Sequence, residues 1–365
     1  MSRAGVAIIG GGINGLCSAW ALAEAGYKVT VFERDLIMGA TSSASSKLLH
    51  GGLRYLETGE FRLVHEALIE RKWWIDNCPQ IAHRLQLALP VYNGRSRSAL
   101  LIGAGLTIYS LLAGRRGIGG WRWSGPNAFA RANPQLSVDG LRGGFNFFDG
   151  QMNDNKLGIW VADTARSLGV DIREQCEVSA LGIDGSVHAQ GQRFQFDAVV
   201  NCAGPWASIL LEQSSLTPSV DIRWVRGSHI FLNDPCEAAY MLQVPGESRI
   251  FFVLPYEGRT MIGTTEVPQS ADEPIAISEQ EASYLLSARN AFFRDQRRES
   301  DITGSFAGVR PLLAFKGSAT AASREYVIER NQRLLTVYGG KWTTARALGH
   351  KVRDNLKNSG LLTAR

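Results

Sequence analysis

The sequence lacks the features that mark a membrane-spanning, a disulfide-bonded or a zinc-binding protein. No apolar stretch reaches the roughly 18 residues that a transmembrane helix needs, and the N-terminus has no signal-peptide pattern. The chain contains only five cysteines, an odd number, and none of them forms a CxxC pair. A disulfide framework and a structural zinc site are therefore not expected. We predict a cytoplasmic protein without a metal.

A large excess of one charge is also absent. Lysine and arginine (39 residues) exceed aspartate and glutamate (34 residues) by five, and the pI is about 9.0. This mild surplus suits an anionic ligand or an acidic membrane surface, but it is not the signature of a nucleic-acid-binding protein. An ordinary soluble surface explains the charge as well.

Residues 6–32 have the pattern of a strand, a glycine-rich turn, a helix and a second strand. Gly10, Gly12 and Gly15 have the dinucleotide-binding spacing: they allow a tight turn, a close approach of the pyrophosphate and helix–strand packing, respectively. Glu33 stands 18 residues after Gly15, where a carboxylate can accept hydrogen bonds from ribose hydroxyls and would repel the 2′-phosphate of NADP. This pattern predicts a dinucleotide site.

Two further strand–glycine–helix junctions occur much later in the chain, at Gly204 and at Gly339–Gly340. Ligands of open α/β sheets bind at the carboxyl ends of strands, so three such junctions can meet at one cofactor only in a discontinuous domain. A second helix N-terminus so late in the chain favours FAD over NAD.

We therefore predict an α/β plus α+β protein with a discontinuous, Rossmann-like FAD-binding domain and an inserted substrate domain on a largely antiparallel sheet. The predicted boundaries are 1–80, 146–214 and 303–365 for the first domain and 81–145 and 215–302 for the second. Further predicted elements are helices over 60–78, 156–168, 278–294 and from about 343, and strands over 197–201, 250–254, 260–263 and 334–338.

The densest polar stretch of the chain covers residues 39–57. Its four serines and one threonine can bind phosphate or ribityl oxygens, and the Gly51–Gly52 pair lets the backbone pass close to a flat ring. His50, Arg54 and Tyr55 add a base, a cation and a hydroxyl group. An isolated segment of this kind could be a solvated turn, but its position directly after a ribose-binding carboxylate favours ligand binding.

The longest apolar run covers residues 99–113 and is followed by Arg115, Arg116, Trp121 and Trp123. One interpretation is a buried or half-buried helix of the core. The other is a helix that lies in a membrane interface, with the arginines and tryptophans at the level of the headgroups.

Eight segments in this order resemble the FAD-dependent, quinone-linked glycerol-3-phosphate dehydrogenases, within the wider D-amino-acid-oxidase-like class. The segments are IIGGGINGLCSAW at 8–20, ATSSASSKLLHGGLRYLE at 40–57, FRLVHEALIER at 61–71, NCAGPWA at 201–207, RGSHIF at 226–231, IGTTEV at 262–267, GVRPLL at 308–313 and GGKWTTAR at 339–346. The resemblance covers almost the whole chain.

The resemblance implies the oxidation of sn-glycerol 3-phosphate to dihydroxyacetone phosphate, with hydride transfer from C2 to flavin N5 and electron transfer to a membrane quinone. The catalytic residues that it implies are His50, Arg54, Tyr55, His229, Arg310 and Lys341, with His50 and His229 as alternative bases. The cofactor-binding residues that we expect are Gly10, Gly12, Ile13, Asn14, Gly15, Glu33, Arg34, Thr41, Ser42, Ser43, Ser46, Lys47, Leu48, His50, Gly51, Gly52, Val178, Ala203, Gly204, Trp206, Gly308, Arg310, Gly340, Lys341, Trp342 and Thr343.

The chain departs from the family pattern in two places. Typical bacterial members carry a further helical domain after the GGKxTT helix, whereas this chain ends at Arg365. Residues 150–156 read GQMNDNK where the family more often has Asp-Asp-Ala-Arg. These departures leave open the electron acceptor, the oligomeric state (a homodimer is one alternative) and attachment to the cytoplasmic face of the inner membrane.

The departures also leave alternatives for the function. A pair of arginines binds a carboxylate or phosphonate as well as a phosphate, so a flavin dehydrogenase or oxidase of a related hydroxy acid, phosphonate or amino acid is the second hypothesis. A non-enzymatic FAD-binding module is the third, and the presence of His50, Arg54, Arg310 and Lys341 argues against it.

Overall fold

The computed structural model describes residues 5–313 and 326–361. Its α-helices are α1 (Ile13–Glu24), α2 (Phe61–Asn77), α3 (Ala99–Ala113), α4 (Pro126–Ala132), α5 (Asp154–Ser167), α6 (Ala207–Gln213), α7 (Glu279–Asn290) and α8 (Ala345–Asn358). Its strands are β1 (Gly5–Ile9), β2 (Lys28–Phe32), β3 (Leu48–Leu49), β4 (Ala82–Tyr92), β5 (Arg122–Ser124), β6 (Leu141–Met152), β7 (Asp171–Arg173), β8 (Val178–Leu181), β9 (Ser186–Ala189), β10 (Gln192–Gln195), β11 (Ala198–Asn201), β12 (Ile222–Leu232), β13 (Ala239–Gln243), β14 (Ile250–Tyr256), β15 (Arg259–Gly263), β16 (Val267–Gln269), β17 (Ile302–Leu313), β18 (Tyr326–Asn331) and β19 (Leu334–Gly339).

The chain divides into two compact units, and each unit is discontinuous in sequence. The described residues of the first unit are 5–45, 153–225, 309–313 and 326–361, and the second unit consists of Ser46–Met152 and Arg226–Gly308. The predicted domain segments also include residues 1–4, 314–325 and 362–365, which lie outside the described residues.

The boundaries differ from the predicted ones in four segments. Residues 46–80 and 146–152 were predicted in the first unit but belong to the second. The reason is that β3 pairs with β6 there, and β6 pairs along its length with β4. Residues 303–308 also belong to the second unit, because β17 pairs with β12, and residues 215–225 belong to the first.

The first unit is built on a six-stranded sheet in the order β18-β19-β11-β1-β2-β7. The strands β19, β11, β1, β2 and β7 are parallel, and β18 forms an antiparallel edge. Helix α8 lies close against α1, since a Cβ at Gly349 would lie 2.4 Å from the Cys17 carbonyl oxygen. A separate antiparallel sheet contains β10, β9 and β8.

The second unit contains a large sheet in the order β16-β12-β15-β14-β13-β4-β6-β3. The pairs β12–β15, β15–β14, β14–β13, β4–β6 and β6–β3 are antiparallel, and β13–β4 is parallel. The second domain is therefore built on a largely antiparallel sheet, as predicted.

A buried carboxylate joins α7 to β12 in the second unit. Glu281 completes a capping box with Ser278 at the start of α7, and it also accepts hydrogen bonds from Ser228 (2.7 Å) and Thr265 (2.6 Å). The Arg226 guanidinium lies 2.8 Å away. Burial alone would raise the pKa of Glu281, but these hydrogen bonds lower it to about 2. The carboxylate is therefore ionised and ties the helix to the sheet.

Helix α3 is half-buried. Ile102, Leu106 and Tyr109 face the core, while Leu100 and Leu111 are 86% and 74% exposed. One face of the helix packs inward, which agrees with the first interpretation of the apolar run. The opposite face presents leucine to solvent, and its contact with a membrane stays a prediction.

Candidate functional site

The three glycine junctions of the first unit follow the adjacent parallel strands β1, β11 and β19 and therefore meet at one edge of the sheet. Gly10 has φ +105°, and a Cβ there would lie 2.5 Å from the Cys202 carbonyl oxygen. A Cβ at Gly15 would lie 1.9 Å from the Gly10 carbonyl oxygen. The turn into α1 can form only because these positions lack side chains.

Polar groups surround the N-terminus of α1. Glu33 Oε2 accepts a hydrogen bond from the Gly11 amide (2.6 Å), and Ser42 Oγ accepts one from the Ile13 amide (2.9 Å). A Cβ at Gly12 would lie 3.0 Å from Ser42 Oγ. The segment around Ser42 therefore lies directly over the helix N-terminus, which is the place where a dinucleotide's phosphates bind.

The C-terminal junction adds a second set of contacts at the same place. Asn14 Nδ2 donates to the Gly339 carbonyl oxygen (3.1 Å), and the indole nitrogen of Trp342 donates to the Ser42 carbonyl oxygen (2.9 Å). Gly340 has φ +108°, and a Cβ there would lie 2.7 Å from Asn14 Nδ2. Residues from the two ends of the sequence thus form one cradle, which agrees with the predicted convergence of the junctions.

The cradle has the properties of a site for a dinucleotide cofactor. Among the described residues, the side-chain oxygen of Asn14 is a buried acceptor with no hydrogen-bond partner, and a buried acceptor of this kind is a place for a ligand donor. Gly12 leaves the backbone open to close approach by a ligand, and Gly10 and Gly15 allow the turn that presents it. The residues present therefore fit the FAD that the sequence predicts.

Arg34 and Trp206, two further predicted site residues of the first unit, contact each other. The Arg34 guanidinium stacks over the Trp206 ring at 4.0 Å, and Trp206 packs edge-on against Trp224 at 5.4 Å. Arg34 is next in sequence to Glu33, whose carboxylate we expect at the ribose. Contact of Arg34 and Trp206 with the adenosine half of the cofactor stays a prediction.

Two hydroxyl groups of the predicted Ser/Thr-rich segment bind neighbouring backbone rather than projecting freely. Thr41 Oγ1 donates to the Val309 carbonyl oxygen (2.8 Å), which anchors this segment to the residue that precedes Arg310. Ser43 Oγ donates to the Met38 carbonyl oxygen and accepts from Asn155 (3.1 Å). These side chains shape the cradle, and their contact with the cofactor stays a prediction.

The second unit holds His229 in a tightly defined position. The side chain is 1% exposed, its Nε2 lies 2.9 Å from Ser46 Oγ, and its ring stacks on Phe306 at 4.6 Å and 9°. Gly263 of β15 pairs with His229 of β12, and a Cβ at Gly263 would lie 2.0 Å from the imidazole. Glycine is therefore required at 263 for the imidazole to occupy this position.

Lys47 is the buried cation of this cluster. Its ammonium group lies 4.9 Å from the centre of the Phe306 ring and 5.9 Å from that of Tyr256, so aromatic faces stabilise the charge. The sequence indicated Lys47 but missed both aromatic partners. Phe306 lies in β17 and Tyr256 in β14, and no local pattern distinguishes such residues from ordinary core aromatics.

The predicted site residues fall into both units. The first unit contains Gly10, Gly12, Ile13, Asn14, Gly15, Glu33, Arg34, Thr41, Ser42, Ser43, Val178, Ala203, Gly204, Trp206, Arg310, Gly340, Lys341, Trp342 and Thr343. The second contains Ser46, Lys47, Leu48, His50, Gly51, Gly52, Arg54, Tyr55, His229 and Gly308. The side chains of Val178 and Leu48 pack in apolar cores, and their contact with a cofactor stays a prediction.

Two further properties bear on the site. Within residues 5–313 and 326–361, no group of histidine, cysteine or acidic side chains is arranged to hold a metal ion. In the same part of the chain, none of the helices combines the length and the apolar character needed to cross a bilayer.

The sequence matches the FAD-dependent oxidoreductase family over residues 5–354. D-Erythritol 1-phosphate dehydrogenase of Brucella abortus is 37% identical over 370 residues, which cover 96% of this chain and 73% of that protein. Glycerol-3-phosphate dehydrogenase of Pseudomonas aeruginosa is 38% identical over 372 residues, which cover 96% of this chain and 71% of that protein.

Solved structures share the fold at lower identity. Glycerol-3-phosphate dehydrogenase from Bacillus halodurans, complexed with FAD, superposes with a TM-score of 0.78 at 22% identity and covers 99% of this chain and 66% of that chain. Glycine oxidase from Geobacillus kaustophilus superposes with a TM-score of 0.76 at 22% identity, covering 98% and 95% of the two chains. The predicted fold class, the family resemblance and the FAD cofactor are confirmed.

The cradle predicts how FAD is retained. The purified protein should be yellow and release FAD on denaturation. Glu33→Lys should weaken FAD retention at least about tenfold, because a hydrogen bond to a charged group is worth about 1.5–3 kcal/mol and the new cation lies beside Arg34. Bound FAD per chain is measured from the absorbance of the flavin released after gel filtration.

Glu212→Lys is the matched control, since it makes the same charge change at an exposed position of α6 and should leave FAD retention unchanged. Equal FAD retention in Glu33→Lys and wild type, or a colourless protein that cannot be reconstituted with FAD, would contradict the assignment of the cradle.

Proposed function

The chain belongs to the FAD-dependent oxidoreductase family, and from this premise we propose that it oxidises a secondary alcohol of a small polyol phosphate. sn-Glycerol 3-phosphate, oxidised to dihydroxyacetone phosphate, is the substrate that we favour. D-Erythritol 1-phosphate is the second candidate, because the Brucella relative named for it is 37% identical along 96% of this chain. Bound FAD supplies the hydride acceptor for this chemistry.

The observation that carries the proposal is one short segment of the second unit. A 3₁₀ turn, Leu53–Leu56, follows Gly52, which has φ +82°. His50, Arg54 and Tyr55 are all partly exposed around this turn. A base, a cation and a hydroxyl group are thus accessible within one short stretch, which suits an alcohol that carries an anionic group.

We assign the base to His50 rather than to His229. A general base must reach the hydroxyl proton that it removes. His229 is buried, with its Nε2 at hydrogen-bonding distance from Ser46 and its ring stacked on Phe306, whereas His50 is partly exposed. His50 takes the proton from the substrate hydroxyl group as hydride leaves the carbon that bears this group. His229 supports the packing of the second unit.

Arg54, Arg310 and Lys341 are the cations that we assign to the phosphate and the polyol oxygens. Arg54 and Arg310 are partly exposed, and Lys341, whose ammonium nitrogen is buried, directly follows the Gly340 turn of the cradle. An arginine binds a phosphate through two parallel hydrogen bonds, whereas a lysine acts as a point charge. We propose that each of the two arginines contributes to the preference for a phosphorylated substrate, as the family resemblance implies.

The role of His50 predicts a change in the pH dependence of catalysis. The imidazole must be neutral to accept a proton, so kcat/KM of the wild type should fall on the acidic side as the base becomes protonated. His50→Asn should lower kcat/KM by about 10²–10⁴-fold and remove this acidic limb. The measurement is kcat/KM for glycerol 3-phosphate from pH 5 to 9, roughly the range that spans a histidine titration.

His83→Asn, at an exposed position of β4, is the control and should retain the wild-type profile. The assignment to His50 is wrong if His229→Asn removes the acidic limb while His50→Asn retains it.

The anion-binding role of the arginines predicts how kcat/KM changes when wild type and variants are compared on a charged and an uncharged substrate. Arg310→Ala and Arg54→Ala should each lower kcat/KM for glycerol 3-phosphate by about tenfold to 150-fold, because each charge-assisted contact is worth about 1.5–3 kcal/mol. Arg→Lys should give intermediate values, since the charge remains without the bidentate geometry. Glycerol should be a poor substrate, and Arg310→Ala should hardly change its kcat/KM, because glycerol has no anionic group that could contact Arg310.

Anaerobic bleaching of the flavin by glycerol 3-phosphate, D-erythritol 1-phosphate, glycerol and a small hydroxy acid compares the substrate classes directly. If Arg310→Ala lowers kcat/KM for glycerol as strongly as kcat/KM for glycerol 3-phosphate, then Arg310 supports the flavin or the fold and does not bind the phosphate. If only the hydroxy acid bleaches the flavin, the substrate class is a hydroxy acid and not a polyol phosphate.

We also propose peripheral attachment to a membrane through α3, with a quinone as the electron acceptor. The exposed face of this helix carries Leu100, Leu101 and Leu111. Arg115 and Arg116 follow in the next turn, and Trp121 and Trp123 are exposed just beyond. Apolar residues flanked by arginine and tryptophan are typical of helices that lie in a membrane interface, where a quinone is available.

Attachment through α3 predicts salt-sensitive flotation with anionic lipid vesicles. The double variant Leu100→Glu/Leu111→Glu should stay at the bottom of the gradient, because it places two charges on the apolar face. The double variant Leu36→Glu/Val138→Glu is the matched control, since it makes the same change at exposed apolar residues outside α3, and it should float. Failure of the wild type to float at low salt would exclude this mode of attachment.

A further inference from the structure

A buried polar network lies behind the turn that carries His50 and Arg54. The Gly51 amide donates a hydrogen bond to the Tyr109 hydroxyl (2.7 Å), and this hydroxyl donates to Asp149 (2.9 Å). Asp149 also accepts from Arg71 Nη1 at 2.6 Å. The three side chains come from α3, β6 and α2, and all of them are buried. Three separate elements of the second unit therefore converge on one backbone amide.

The chemistry of the network sets the direction of its hydrogen bonds. Burial raises the pKa of Tyr109 well above its ordinary value, and the charge of Asp149 raises it further. The phenol therefore keeps its proton and donates a hydrogen bond to the carboxylate, so that the lone pairs of the phenol oxygen are available for the Gly51 N–H. Arg71 balances the charge of Asp149 in a place that water does not reach.

A buried ion pair is an unfavourable way to fill a core. Both charges lose their hydration, and well-packed apolar side chains of similar volume often stabilise such a position as well or better. The hydrogen bonds described for Arg71 and Asp149 stay within this network, apart from one that Arg71 donates to the Phe148 carbonyl oxygen (3.2 Å). What the arrangement provides is a fixed phenol oxygen in contact with Gly51.

Gly51 is the point where this oxygen can act on the turn. A Cβ at Gly51 would lie 2.6 Å from both the Tyr109 hydroxyl oxygen and Leu68 Cδ2, so the backbone itself packs against the phenol. His50 precedes this residue, and Gly52 with φ +82° follows it. The orientation of the Gly51 peptide therefore sets the direction in which the chain enters and leaves the turn.

We propose that Tyr109, oriented by Asp149 and Arg71, is a positioning residue that fixes the Gly51 amide and thereby the conformation of His50 and the Leu53–Leu56 turn. The inference rests on the proposed function for its effect on catalysis. The effect on the backbone of the turn does not depend on the substrate, so the two can be tested separately.

Tyr109→Phe tests the inference, because it removes the hydroxyl oxygen and keeps the ring. Without the phenol oxygen the Gly51 amide keeps only its interaction with the Asp149 carboxylate. It should therefore exchange with solvent about tenfold faster, the factor that corresponds to the loss of a hydrogen bond worth about 1.4 kcal/mol. Hydrogen exchange is followed by mass spectrometry in peptides that cover residues 50–57 of the FAD-loaded protein. kcat/KM for glycerol 3-phosphate should fall by about tenfold, and the acidic limb assigned to His50 should shift.

Tyr92→Phe is the matched control. Tyr92 is also buried in the second unit, and its hydroxyl donates to the Ser137 carbonyl oxygen (2.7 Å). This variant should lose comparable thermal stability but keep the wild-type exchange in residues 50–57 and the wild-type kcat/KM. Asp149→Asn is the second variant, since its side-chain oxygen still accepts from Tyr109, and its effect on exchange at 50–57 should be smaller than that of Tyr109→Phe.

The outcomes are distinguishable. Equal exchange in residues 50–57 for Tyr109→Phe and Tyr92→Phe overturns the inference, as does an unchanged pH profile and kcat/KM in Tyr109→Phe. If the wild type turns over neither polyol phosphate, the proposed function fails, and the exchange experiment still decides whether Tyr109 holds the turn.

Discussion

The first turn of α1 approaches β1 so closely that a Cβ at Gly15 would lie 1.9 Å from the Gly10 carbonyl oxygen. This backbone-to-backbone contact puts the helix N-terminus at the carboxyl edge of the sheet, where its amide groups face outward. The neighbouring strands then deliver their own turns to the same place, because β1, β11 and β19 are adjacent and parallel. Ser42, Asn14 and Gly340 close the cradle through hydrogen bonds and close packing that depend on this geometry.

In the second unit, buried charged groups with nearby partners connect the helices and strands. Glu281 ties α7 to the sheet, Asp149 ties α2 and α3 to β6, and Lys47 lies over aromatic rings. Each of these groups is stable in the interior because hydrogen bonds, an ion pair or a ring face replace the water that it has lost. The unit thereby holds polar side chains at fixed positions beside a largely apolar sheet.

Much of the architecture could be predicted from local patterns. The strand over 334–338, the helix from 60 to 78 and the βαβ unit of residues 6–32 all agree with the structure to within a few residues, because their periodicity, glycines and prolines act locally. The long strands β4 and β6 were not predicted. Their sequences alternate poorly, since both faces of much of each strand are buried, and only their pairing along the sheet identifies them.

The sequence alone determined the cofactor and the family, because glycine spacing and short motifs are properties of neighbouring residues. The candidate catalytic residues stay predictions. Tertiary structure decided which groups share a place. Residues 46–80 and 146–152 belong to the second unit and not, as predicted, to the first, because β3 pairs with β6. The tertiary structure also placed Tyr109 and Asp149 behind Gly51, and Phe306 beside His229 and Lys47. Contacts between residues so far apart in sequence depend on the path of the chain through the sheet, which local patterns do not encode.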